Sequence, residues 1–164
     1  MNSSLGLTLT EVFLETRVVS NLLLAIKNVC RDPAQLNVET DASGKQMLTR
    51  IFVFLNYLVY TDTQHNTSAS SSLRFLHQLC DTIVVFKMES HFSHLLLLHV
   101  DLCRNILAIL VLIVTQIPDN AHVVSSILRP GDMDTLTHIK SMQSVHIQDK
   151  LNALLYLMPG LREP

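Results

Sequence analysis

The stretch Leu95–Val114 reads LLLLHVDLCRNILAILVLIV and closes with nine consecutive apolar residues, Ile106 to Val114. That closing run is about half of a bilayer span, for which about 20 apolar residues are needed. Extending it to full length brings Asp101 and Arg104 close to the centre, where together they cost roughly 5 to 7 kcal/mol, about what the apolar residues return. His99 and Asn105 tip the sum against insertion, and extension the other way meets Pro118, Asp119 and Asn120. The stretch is therefore predicted to be a helix buried inside protein, and a membrane is disfavoured as a partner.

The rest of the chain fits a protein rich in such helices. Its 164 residues are 48% hydrophobic and only 16% charged, with four Gly and no Trp. Disorder and linker-like composition are excluded for the chain as a whole. Two independent domains are not expected at this length, so residues 1–164 are read as one all-α interaction domain. Twelve basic against 14 acidic side chains leave no general field for phosphates or anionic lipid. The basic residues are spread singly, which disfavours direct nucleic-acid binding.

Cys30, Cys80 and Cys103 lie far apart, make no C-x-x-C pair and sit among apolar neighbours. They read as buried free thiols. With no positive n-region or apolar h-region at Met1–Ser4, an intracellular location, nucleus or cytoplasm, is expected. Asn2-Ser3-Ser4 and Asn66-Thr67-Ser68 match the glycosylation tripeptide, which matters only in a secretory context.

Thr8-x-x-Glu11 is a capping-box pattern, and from it Val12, Val19, Leu23, Ile26 and Cys30 recur at helical spacing until Asp32-Pro33. A loop is predicted near 33–44. Ser43-x-x-Gln46 supplies a second box, ahead of a segment that is apolar almost all round, Ile51 to Tyr60. Residues 61–72, polar and ending in serines, are predicted to be an exposed connection open to phosphorylation. Leu76, Leu79, Ile83 and Phe86 then form a stripe opposite Arg74, Gln78 and Asp81. After a break near Met88–Ser90 one long helical pattern is predicted to run until Pro118. Shorter pieces follow: Ala121–Leu128, about Asp132–Met142, and a last one with Ile147, Leu151, Leu154 and Met158, ended by Pro159-Gly160 and a frayed end at 159–164.

That makes about seven helices and no strand. Corresponding starts near Lys45 and Ser90 fall within the roughly 40–47 residues of HEAT or armadillo units. On that interval the chain resembles an irregular armadillo/HEAT-type helical array. A globular helix bundle around the Ile106–Val114 segment is the alternative.

The chemical candidates are sparse. His91, His94, His99, Asp101 and Cys103 are the densest group of metal-ligand side chains. On one continuous helix His91, His94 and Asp101 would share an arc of about 80° with Arg104 and Asn105, which reads better as a polar stripe. No metal and no cofactor is expected. There is no G-x-S-x-G elbow, no Cys with a basic partner and no phosphate cradle, since Gly44-Lys45 lacks the earlier Gly of a Walker pattern.

What remains is apolar surface in excess. The expectation is a non-enzymatic protein–protein interaction module, an adaptor or scaffold subunit of an intracellular complex, with hetero- or homo-oligomers allowed. The alternatives are a helical-bundle regulator that sequesters an amphipathic peptide helix, as in the apoptosis-regulator bundle, and an enzyme whose site is assembled from distant residues. The two most apolar helices are assigned to the frame. Partner contacts are placed on the last helix, at Ile147, Leu151, Leu154, Tyr156 and Met158.

Overall fold

The computed structural model describes residues 17–31, 42–65, 73–129 and 134–162. They form eight α-helices and two short 3-10 turns, with no strand among the described residues. In chain order α1 is Val18–Val29, α2 Ala42–His65, α3 Arg74–Val85, α4 Glu89–Leu98, α5 Val100–Gln116, α6 Ala121–Leu128, α7 Thr135–Lys140 and α8 Val145–Leu157. The fold is all-α, as the periodicity predicts.

The apolar stripes explain how the first helices meet. Val19, Leu23, Ile26 and Cys30 of the α1 stripe are buried, as are Leu76, Leu79 and Ile83 of α3, and the two helices pack on each other. Lys27 reinforces the pair from the rim. Its Nζ donates to the Phe86 carbonyl at 2.9 Å and lies 5.8 Å from the Phe86 ring centroid, so a cation from α1 meets the negative end of α3.

The break after α3 is built by hydrogen bonding. Lys87 adopts φ 55°, its N–H donates to Val84 O and the N–H of Met88 to Ile83 O. This pair of bonds is the Schellman ending, with buried Met88 and Ile83 supplying its apolar contact. It usually carries Gly at the left-handed position, and here a lysine takes it.

The single helix predicted up to Pro118 is two helices. At His99 the backbone is extended (φ −158°, ψ 144°), and its imidazole accepts the Asp101 N–H, capping α5. His91 and His94 therefore sit on α4 and Asp101 on α5. The arc computed for one continuous helix does not exist.

Three other boundaries differ from expectation. The connection predicted at 61–72 is helical as far as His65, because polar composition does not by itself stop a helix that is already propagating. The loop predicted near 33–44 gives way to α2 at Ala42, one residue ahead of the Ser43–Gln46 pattern. Within the end predicted to fray, Pro159–Arg162 form a 3-10 turn, with Leu161 buried and its carbonyl accepting from Arg129 at 2.6 Å. The Thr8–Glu11 box, Val12, both glycosylation tripeptides and the serines 68–72 lie outside the described residues.

Helix α5 occupies the centre. It packs against α2, α4, α6 and α8, and Leu102, Ile106, Leu107, Ile109, Leu110 and Ile113 are fully buried. Phe52 of α2 meets Phe92 of α4 edge to face at 5.4 Å, and the Ser93 hydroxyl of α4 donates to the Ile127 carbonyl of α6. No helix among the described residues is long and apolar enough to cross a membrane. All three cysteines are free and buried. Burial pushes the Cys30 thiol up to about 11 and those of Cys80 and Cys103 to about 12.

Three pairs of helices that lie three apart in the chain pack on each other, while α1 with α4 and α3 with α6 do not pack to that extent. α2 stacks on α5 and α5 on α8, while α4 stacks on α7. The starts of α3 and α6, α4 and α7, and α5 and α8 are 47, 46 and 45 residues apart. The sequence interval from Lys45 to Ser90 is of similar size but joins the wrong partners: Lys45 lies on α2, which pairs with α5, and Ser90 on α4, which pairs with α7.

Candidate functional site

The second strongly apolar segment, on α2, has neighbours on fewer sides than α5. Phe52, Leu55, Leu58 and Val59 point into the core. Val53, Tyr57 and Tyr60, at i, i+4 and i+7, form a second stripe that is 51%, 57% and 56% exposed. Alongside runs α5, parallel to α2: Thr49 and Lys45 flank His99 and Asp101 at one end, Asn56 meets Asn105 in the middle, and Tyr60 flanks Leu112 at the other.

Between the two helices lies a groove of about 460 Å³, walled by Val53, Tyr57 and Tyr60 on one side, Ala108, Val111 and Leu112 on the other, and edged by Lys150 of α8. Its floor is polar and tied down. Asn56 Nδ2 donates to the Asn105 carbonyl at 2.8 Å and to Asn105 Oδ1 at 3.0 Å, and Asn105 Nδ2 donates to the Asp101 carbonyl at 2.8 Å. Tyr57 is braced by Phe54, whose ring lies parallel to it at 6.5 Å.

Nearer the N-terminal ends of both helices lies a separate, more polar hollow lined by Lys45, Gln46, Thr49, Arg50, His99 and Asp101. The Asp101 carboxylate is occupied by Arg104, at 3.2 Å. These groups can cover apolar side chains, exchange hydrogen bonds at the rim and meet a carboxylate. The groove around Lys150 contains no carboxylate, imidazole or thiol among its lining residues.

The residues assigned to partner contact from sequence fall elsewhere. Ile147, Leu151 and Leu154 are buried in the core, on the face of α8 that packs on α5, and have no surface to offer a partner. Met158 is half-buried against the same core, and Tyr156 is exposed. Nor do His91, His94, His99, Asp101 and Cys103 converge: no group of three or more His, Cys, Asp or Glu that could hold a metal occurs among the described residues. Sequence reasoning missed Val53, Tyr57 and Tyr60 because it assigned the whole Ile51–Tyr60 segment to the frame. The available signal was the pair of tyrosines, whose hydroxyls favour a position with one end wet. No family model, curated protein or solved structure matches the chain.

Proposed function

We propose that the chain is a non-enzymatic protein-interaction module, an adaptor or scaffold subunit that holds a segment of a partner protein in the α2–α5 groove. One observation carries this reading: an exposed apolar stripe, Val53, Tyr57 and Tyr60, facing a groove with a hydrogen-bonded floor. Large exposed apolar side chains gathered along one groove mark sites where water is to be displaced. Tyrosine suits that role, because it offers wide contact area with few rotatable bonds.

The frame is an irregular armadillo/HEAT-type array. Intervals of 47, 46 and 45 residues and the stacking of α2 on α5 on α8 support that assignment over a bundle. In an array the stacked helices present one continuous face, and the groove lies on it. An intracellular setting accords with three free, buried thiols.

The test is affinity purification from the native cell with mass spectrometry, using the intact chain and a Val53→Asp/Tyr57→Asp double variant. Both positions are more than half exposed, so circular dichroism is expected to be unchanged and Tm to fall by only a few degrees. A stoichiometric partner held by the native chain and lost by the variant is the expected outcome. A partner set that survives the double substitution defeats the assignment.

A further inference from the structure

We propose that the occupant of the α2–α5 groove is an acidic, apolar peptide segment, one in which a carboxylate lies beside one or two large apolar side chains. This rests on the groove reading above and names the chemistry of the partner. The argument is one of charge. The whole chain carries a formal charge of −2, yet the charged groups lining this face are Lys45, Arg50 and Lys150 against Asp101 alone. Asp101 is already paired with Arg104. No described residue forms a hydrogen bond or ion pair with the side chains of Lys45, Arg50 or Lys150.

Lys150 matters most, because it stands half-buried at the edge of an apolar groove. An occupant that filled the space between Tyr57 and Leu112 without a negative charge would strip water from that ammonium and give nothing back. A carboxylate there forms a charge-assisted bond in a setting screened less than open solvent. Lys45 and Arg50 line the separate hollow nearer the N-terminal ends of α2 and α5. From Lys45 to Tyr60 the helix rises roughly 22 Å, the reach of about seven extended residues, so one short peptide spans both the cations and the apolar walls. A nucleic-acid strand also carries negative charge, but the aliphatic walls of Val53, Ala108 and Leu112 suit side chains better than stacked bases.

The experiment is selection of a phage library of random peptides of about twelve residues on the full chain, followed by fluorescence anisotropy of the best binder. The expected consensus places Asp or Glu near a large aliphatic or aromatic residue. Its affinity is expected to fall about tenfold or more in Lys150→Glu, to be kept in Lys150→Arg and to weaken in Tyr57→Ser. Circular dichroism of each variant separates lost binding from lost fold. Enriched peptides that are apolar without acid, or whose binding is indifferent to Lys150→Glu, overturn the acidic assignment and leave the interaction reading standing. A library that yields no binder sensitive to Tyr57→Ser removes both. A fluorescein-labelled oligothymidine that binds more tightly than any selected peptide, and loses that binding in Lys150→Glu, replaces the peptide with a nucleic acid and overturns the proposal.

Discussion

The Ile106–Val114 run of α5 and the Ile51–Tyr60 segment of α2 are both strongly apolar, and they do opposite things with that character. α5 has α2, α4, α6 and α8 around it and spends its apolar residues on the core. α2 is flanked by α1, α3 and α5 and keeps Val53, Tyr57 and Tyr60 at the surface. An apolar residue in such a segment is thus buried in the core or left at the surface according to how many neighbours its helix has. Composition alone is blind to that difference.

Substitutions break the comparison cleanly. Leu110→Ala on α5 is expected to cost about 2–5 kcal/mol, because it leaves a cavity in a region closed on all sides. Tyr57→Ser on α2 is expected to cost well under half of that, since most of its ring already faces water. Urea denaturation of the two variants measures the gap, and equal losses would mean that α2 is as enclosed as α5. Asn56→Leu falls between them, at about 1–3 kcal/mol, because it leaves the Asn105 side-chain oxygen without this donor beneath the groove.

The cysteines sharpen the contrast through pH. Each folded thiol lies above its ordinary 9.0, so the unfolded chain releases these protons first as pH rises. Their contribution to stability is complete below about pH 9 and is lost progressively between pH 9 and 12. Denaturation midpoints at pH 8 and 10 are expected to drop in the native chain, and to drop less in Cys80→Ala/Cys103→Ala. The smallest effect is at the α3–α4 turn. Lys87→Gly relieves a left-handed backbone and is expected to raise stability by about 0.5–1 kcal/mol, read as a Tm increase of a few degrees.

Much of the fold is legible in the residues. α6 is bounded as predicted, Ala121–Leu128, because prolines punctuate both sides; the described residues of the α1 stripe are all buried, and of the α3 stripe Leu76, Leu79 and Ile83 are buried and Phe86 half-buried, while Phe75, Cys80 and Thr82 widen that buried face beyond the stripe. The split at His99 is hidden because neither Gly nor Pro marks it, and a capping imidazole looks like any other histidine on a helix. The extension of α2 to His65 is hidden for the opposite reason: residues 61–65 have the composition of a loop, yet none of them is a Gly or Pro that would stop a helix. The groove is harder still. Its walls come from α2 and α5 and its edge from α8, and no spacing rule connects Tyr57 with Leu112 or Lys150. Ile147, Leu151 and Leu154 are expected at a surface because the C-terminal helices are short and irregular, but an apolar stripe does not say whether its cover is the same chain or another.

The Asn56–Asn105 bond has one more consequence. It is a polar lock within an interface that is otherwise apolar and would tolerate sliding. Moving α2 along α5 by one turn would place each amide opposite a hydrocarbon wall, so one register is preferred over its neighbours. The groove above it is therefore a rigid template whose two walls cannot slip past each other. Association with an occupant should be a single bimolecular step, with an observed rate that climbs linearly with ligand concentration and never levels off.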